Sequence, residues 1–467
     1  MLTYHMEHRG GIPLYEYLYR CIRADILNGT LTAGEKLPSK RALSEHLQVS
    51  VITVEAAYQQ LEAEGYVSPQ PKRGFFVNQV EQAVPPPPQI PLPARTPVQS
   101  WKLDLSRNQT DLSRFPAATW ARLTRQVLSE DSFLAPAPHQ GLLELRRAIA
   151  DDLRNFKGMS VLPEQIVVGA GAEYLYLMLA QLFGPQAVFA VEDPGYQKIR
   201  QVYQKCGAIC RPVPLDRHGM APAALKDSGA TVAHISPTHH YPTGIVTPIG
   251  RRQALLRWAE ETGGFIIEDD YDSEFRFVGR PIPTLQSIDT GGRVVYMNTF
   301  SQTIAPSMRV GFMVLPLRLL ERYRKELDFY ACTVPVMDQH ILARFLSGGH
   351  YEQHLSRMRK EYRVRRAAVL DAFQSSPFAH RITITEQGAG LHFLLHLKTR
   401  RSDHELRQHA ERLGVRLGFL SDYTALPHST FSHTLVVNYA GLDPSRLEET
   451  MALLTDVFLE PPVSSNS

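Results

Sequence analysis

The 467 residues carry 43% apolar and 21% charged side chains and a net charge of +3, ordinary globular proportions that exclude a disordered chain. No run approaches the ~18 uninterrupted apolar residues of a membrane span, and no apolar core follows the opening MLTYHMEHRGG. Cys21, Cys206, Cys210 and Cys332 neither form a disulfide framework nor complete a zinc spacing, so the expectation is a cytoplasmic protein with no membrane partner and no metal.

Over residues 10–78, Leu14, Leu18, Ile22 and Ile26 recur nearly every fourth position, which predicts an amphipathic helix over Ile12–Asn28. Ser39 is placed to cap a helix carrying Leu43 and Leu47, and Ser50 to cap another with Val54, Ala57, Tyr58 and Leu61 inward. Two short helices joined by Gln48-Val49-Ser50 make a helix-turn-helix pattern. Tyr66-Val67-Ser68 and Phe75-Phe76-Val77, flanking the loop Pro69–Gly74, predict a β-hairpin. Taken alone, this pattern fits a dimerisation module as well as a DNA reader. Arg9, Arg20, Arg23, Lys36, Lys40, Arg41, Lys72 and Arg73 are matched one for one by Glu7, Glu16, Asp25, Glu35, Glu45, Glu55, Glu62 and Glu64, so no domain-wide basic footprint exists. Placement is more telling: Lys40 and Arg41 stand at a helix N-terminus, and Lys72 and Arg73 at the hairpin tip, where phosphates would be met.

The phrase LPSKRALSEHLQVSVITVEAAYQQLEAEGYV followed by KRGFFV resembles the winged helix of the GntR family over nearly the whole unit. The resemblance implies that Ser39 and Arg41 hold backbone phosphates of double-stranded operator DNA. It implies that Ser50 and Thr53 open a recognition helix in the major groove and that Gly74 lets a wing approach the minor groove. Val51 departs from the arginine usual at its position; it can touch a thymine methyl but cannot pair bidentately with guanine.

Gln79–Ser100, QVEQAVPPPPQIPLPARTPVQS, makes neither ladder nor helix and reads as a proline-rich linker. At about 3.1 Å per residue it reaches roughly 60–70 Å when fully extended. From 101 to 459, brief β-branched runs (Ile166–Val168, Ala187–Val191, Thr231–Ile235, Phe265–Ile267, Val294–Met297) alternate with helical stretches such as Gly141–Asn155 and Gly250–Thr262. That alternation predicts an α/β domain with a mostly parallel sheet, in which ligands sit at the carboxyl ends of the strands.

Those ends carry distinctive residues. Gly169-Ala170-Gly171-Ala172-Glu173 opens a helix whose free amides suit a phosphate, and Glu192–Tyr196 turns with an aromatic ring. SPTHHYPTG, Glu268–Asp272 and Asn298–Thr303 with Arg309 follow the later runs. Singly, each has a plain explanation: a tight turn, a packed ring, a solvated acidic loop. Their joint order, the spacing from Asp269 to 302 and the TFSxT…APSxRxGF phrase resemble the fold-type I aminotransferases that bind pyridoxal 5'-phosphate, over about residues 101–457.

That resemblance implies a phosphate held by the amides of Gly171, Ala172 and Glu173 with Thr299, Ser301 and Arg309. It implies Tyr196 stacked on the pyridine ring, Asp269 paired with the ring nitrogen, and Tyr271 donating to the phenolic oxygen. Ala172 departs from a frequent hydroxyl residue, and Tyr241 from the usual asparagine. Gln302 stands where the family carries the lysine that forms the Schiff base; a carboxamide is not nucleophilic, and Lys198 is not at that position. Any cofactor is therefore expected to be noncovalent, with no catalytic residue assigned.

A GntR winged helix (10–78), a proline-rich linker (79–100) and an aminotransferase-like domain (101–459) in that order resemble the MocR subgroup of transcription regulators. GAGAEYLY, MNTFSQTIAPSMR and YACTVP look nearest to regulators of pyridoxal phosphate synthesis. The expected function is a homodimeric DNA-binding regulator whose large domain senses pyridoxal 5'-phosphate or a related small-molecule effector. The alternative is a pyridoxal phosphate-dependent aminotransferase with an accessory domain; a third reading has the pocket reassigned to another effector or serving only to dimerise.

Overall fold

A computed structural model of the chain describes residues 2–80, 100–106, 110–277, 282–386, 388–426 and 431–459. Most of the expected linker (81–99) and the tail after Leu459 lie outside them. The chain separates into two compact units, Met1–Val98 and Gln99–Ser467. Among the described residues no helix is long and apolar enough to cross a membrane.

The first unit contains α1 (Leu14–Leu27), α2 (Lys40–Leu47), α3 (Val51–Ala63), β1 (Val67–Gln70) and β2 (Gly74–Val77). The Ser39 hydroxyl accepts the Ala42 amide and the Ser50 hydroxyl the Thr53 amide, which is why α2 and α3 begin where they do. Leu18, Ile22 and Ile26 of α1 close on Leu43, Val54, Ala57, Tyr58 and Leu61, and Val67 and Val77 of the hairpin seal the same core. The hairpin is longer than expected. Pro69 pairs with Phe75 and Gln70 with Gly74, so β1 runs through the first half of the expected loop Pro69–Gly74. A two-stranded hairpin consists only of edges, where a proline without an N–H is tolerated. The tip shrinks to Pro71–Arg73, with Lys72 at φ 63° and Gly74 at φ 106°.

The second unit opens with β3 (Leu103–Asp104), α4 (Ala117–Leu128) and α5 (Leu143–Asp152), followed by a wide helical turn, Leu153–Lys157. Its centre is an eight-stranded sheet of β4 (Ile166–Gly169), β5 (Val188–Asp193), β6 (Ile209–Asp216), β7 (Gly219–Met220), β8 (Val232–Ile235), β9 (Phe265–Asp269), β10 (Val294–Thr299) and β11 (Gly311–Val314). The order is β4-β11-β10-β9-β8-β5-β6-β7. From β10 across to β6 neighbours run parallel, while β11 is antiparallel to both β10 and β4. Helices α6 (Ala172–Phe183), α7 (Gln197–Lys205), α8 (Pro222–Asp227), α9 (Ile249–Thr262), α10 (Leu317–Glu326) and α11 (Val336–Ser347) pack around it.

Alternation of side chains sends Val167, Ile267, Val295 and Met297 to the layer containing α6, α7 and α10. Ile166 and Val168 go to the opposite layer with α5 and α11, and Ile266 and Val294 to that with α9. The long α12 (His350–Gln374) leads into β12 (Ile382–Thr385), β13 (His392–Leu397), α13 (Asp403–Arg412), β14 (Val415–Arg416), β15 (Thr434–Asn438) and α14 (Leu447–Phe458). There β12, β13 and β15 form an antiparallel sheet over its own core, centred on Phe373, Phe378, Phe393 and Phe458.

Candidate functional site

At the carboxyl ends of β5, β8, β9 and β10 lies a cavity of about 390 Å³. Nine of the ten residues expected at a cofactor site line it: Ala172, Glu173, Tyr196, Asp269, Tyr271, Thr299, Ser301, Gln302 and Arg309. The tenth, Gly171, underlies it. Its φ is +86°, and a Cβ there would stand 2.7 Å from Arg309 Nη2, so only glycine lets the guanidinium lie against the start of α6.

The acidic run after Ile267 is sorted by strand geometry. Glu268 turns away and accepts the amides of Leu285 and Gln286. Asp270 accepts from Lys157 at 3.0 Å and from Tyr296 at 2.8 Å. Asp269 lines the cavity; its Oδ2 accepts the Tyr176 hydroxyl at 2.6 Å and lies 3.3 Å from His234 Nε2, whose Nδ1 meets the Tyr203 hydroxyl at 2.8 Å. Both polar contacts fall on one oxygen, which leaves Oδ1 for a ligand. Tyr176, His234 and Tyr203 were not expected here. A signal existed in His234, the one polar residue in the otherwise apolar strand Val232-Ala233-His234-Ile235.

At the other end of the cavity, Thr299 closes β10, Ser301 follows it, and Arg309 adopts φ 49° just before β11. Arg309 Nη2 donates to Glu173 Oε2 at 2.6 Å. Burial opposes ionisation of Glu173, but the bond from Arg309, its own backbone amide and Lys198 hold its carboxyl down at about 2. Between these ends, Gln302 Oε1 accepts from the Thr110 hydroxyl at 3.0 Å, and its carbonyl accepts from the same hydroxyl at 2.9 Å. Among the described residues lining the cavity none is a lysine.

The walls hold further groups to which the sequence reading assigned no ligand contact. Burial pushes the Glu192 carboxyl up to about 8; it accepts the Ser236 amide and lies 3.3 Å from His240 Nε2. Burial, with His239 nearby, pushes His240 down to about 3, so its ring is neutral. The Tyr241 hydroxyl meets that of Tyr423 at 2.8 Å. The Tyr271 hydroxyl lies 3.1 Å from His239 Nδ1, which also faces the two oxygens of Asp272 at 2.9 and 3.0 Å. His239, Asp272 and His392 are buried with ligand atoms within 4.8 Å of one another. His239 Nδ1 and His392 Nε2 are already engaged, the latter with the Pro242 carbonyl, so the trio reads as a hydrogen-bonded support behind Tyr271.

In the first unit, Arg41, Lys72, Arg73, Gly74, Ser39 and Ser50 are exposed and Thr53 is half-buried. Ser39 uses its oxygen as a cap and keeps its O–H to donate. Lys40 is engaged within the unit, 2.6 Å from Glu55 and over the Phe75 ring. Next to Val51, Ile52 is 77% exposed on the first turn of α3, an apolar side chain that sequence periodicity did not single out.

These features define a winged helix-turn-helix unit followed by a domain of aminotransferase fold. Residues 14–77 match the family of bacterial regulatory proteins, gntR family, and residues 100–453 match aminotransferase class I and II. The chain belongs to the GntR-type transcription regulators with an aminotransferase-like domain, the MocR group. It is 35% identical to the uncharacterized HTH-type transcriptional regulator YdeL of Bacillus subtilis, over 94% of this chain and 95% of that one. It is 30% identical to the "Probable rhizopine catabolism regulatory protein MocR" of Rhizobium meliloti, over 97% of this chain and 95% of that one. It is 36% identical to the HTH-type pyridoxine biosynthesis transcriptional regulator PdxR of Corynebacterium glutamicum, over 76% and 78%. Among solved structures, kynurenine aminotransferase of Pyrococcus horikoshii gives a TM-score of 0.68 at 24% identity, over 78% of this chain and 91% of that one, a likeness of fold.

Proposed function

We propose that the large unit senses pyridoxal 5'-phosphate, or a close relative of it, without turning it over, and that occupancy of its cavity is read out as operator binding by a homodimer. The observation that carries this is the chemistry of the cavity's two ends with an amide between them. Arg309, Ser301, Thr299 and the start of α6 offer a phosphate its donors, and Asp269 offers a protonated ring nitrogen a carboxylate oxygen. The glycine cradle at Gly171 is what a close approach of anion and guanidinium needs. Tyr196 supplies a ring face and Tyr271 a hydroxyl. The cofactor, when bound, supplies an electron-withdrawing ring and an aldehyde. Gln302 offers that aldehyde no amine, and Thr110 anchors its side chain.

The test is a titration with pyridoxal phosphate followed by borohydride treatment and denaturation. The ligand is expected to bind and then be lost on denaturation. Asp269→Ala and Arg309→Ala should each weaken binding by about 10- to 150-fold, the loss of one charge-assisted contact of about 1.5–3 kcal/mol. Gln302→Lys should convert binding into covalent retention. The aminotransferase alternative requires turnover of an amino-acid donor by the unaltered chain. Such turnover, or affinity unmoved by both alanine variants, would overturn the proposal.

A further inference from the structure

We propose that Glu173 is a built-in competitor for the phosphate seat: its carboxylate takes up the donors a phosphate would use, and an incoming phosphate monoester binds by displacing it. This deepens the sensing role proposed above and rests on it. Glu173 is the second residue of α6, so its side chain folds back over the amides at the helix start. Oε2 receives Arg309 Nη2 at 2.6 Å, and Oε1 lies 3.2 Å from Lys198 Nζ. The Glu173 amide and Arg309 are two of the groups expected to hold the phosphate, and Ala172, Glu173 and Arg309 all line the cavity.

Two cations therefore share one tethered anion, which offsets half of their positive charge. The tether makes this internal carboxylate a strong rival, because its effective concentration at Arg309 is far above that of free ligand. A phosphate carries more charge than a carboxylate and has three acceptor oxygens, so it can win, but from a lowered affinity. The pair is also about half exposed, with side-chain accessibilities of 50% for Arg309 and 35% for Glu173, so the carboxylate has room to swing away. A plain surface ion pair would not need a position in the cavity wall, where both Glu173 and Arg309 stand. The consequence is a sensor tuned to respond only above a threshold of phosphorylated ligand.

The experiment measures binding of pyridoxal phosphate, unphosphorylated pyridoxal and inorganic phosphate to the full chain and to Glu173→Gln and Glu173→Ala, with folding checked by circular dichroism. Both variants should bind pyridoxal phosphate about tenfold more tightly, strengthen phosphate in parallel and leave pyridoxal unchanged. In an Arg309→Ala background the gain from Glu173→Gln should shrink, since the two positions share one contact while Lys198 remains. Unchanged or weaker binding of pyridoxal phosphate by both variants, with the unaltered chain still binding it, would overturn the competitor role and leave the sensing role standing. Failure of the unaltered chain and every variant to bind pyridoxal phosphate would remove the sensing role itself, and this inference with it.

Discussion

Glu192 and Asp269 line one cavity but have different partners. Asp269 is given a tyrosine hydroxyl and an imidazole, whereas Glu192 is buried beside a neutral His240 with one backbone amide. Burial, reinforced by Asp269, raises the Glu192 carboxyl to about 8, against about 4.3 in an unfolded chain. Between those values the folded protein holds a proton that the unfolded one has released, so the Glu192 contribution to stability is full below about pH 4 and is lost as pH rises through 8. Glu192→Gln keeps the shape and the acceptor for Ser236 but cannot ionise. Its melting temperature should match that of the unaltered chain near pH 4.5 and exceed it increasingly from pH 6 to 9. Parallel melting curves over that range would show that Glu192 does not hold its proton. Asp152 and Glu268, both raised to about 7, titrate in the same window in both proteins and cancel in the comparison.

Between elements, a buried polar tie in the large unit joins the turn after α5 to the segment after β9. Lys157, mostly covered, reaches the buried Asp270 at 3.0 Å and the buried Glu274 at 2.8 Å. Burial works against the Lys157 charge, and the two carboxylates more than restore it. Lys157→Met would leave two buried carboxylates without their cation and should destabilise the unit by roughly 3–5 kcal/mol, read as a lower urea midpoint. A midpoint shift equivalent to under about 1 kcal/mol would mean that water already screens the site as it screens a surface pair. Local signals were legible in the chain: Ser39 and Ser50 cap the helices they precede, and the strands ending at Gly169, Asp269 and Thr299 each begin with an apolar run. Ile209–Asp216 was not, because it alternates exposed and covered residues instead of forming an apolar run. The support behind Asp269 was hidden for a different reason. Tyr176 lies 93 residues before it and His234 35 before it, so only the folded sheet brings them together. Lys40 stood where a phosphate contact was expected, yet it is committed to Glu55, 15 residues on, a choice that no spacing rule anticipates.

At the scale of the whole chain, the winged-helix reader and the aminotransferase-like unit are separate folded units, each with its own core. The reader presents few free cations for DNA: Arg41, Lys72 and Arg73 are exposed, Lys40 is paired, and basic and acidic residues balance over the first 78 positions. A single copy should therefore hold an operator weakly. Two copies joined through paired large units would engage two half-sites, and the second contact then becomes intramolecular, which raises avidity by about 10²–10⁴ without any new contact. The isolated segment 1–80 should bind an operator at least ~100-fold more weakly than the full chain, which should sediment as a dimer. In both forms Arg41→Ala should weaken binding to all sequences alike and lower the salt slope by about 1, as loss of one phosphate contact requires. Ile52→Asn should instead change which base is preferred, because an exposed apolar side chain at the start of α3 would suit a thymine methyl and a carboxamide would suit adenine. Equal affinity of segment 1–80 and the full chain would show that the large unit does not pair its readers. The large unit would then have to act on DNA binding through each copy alone.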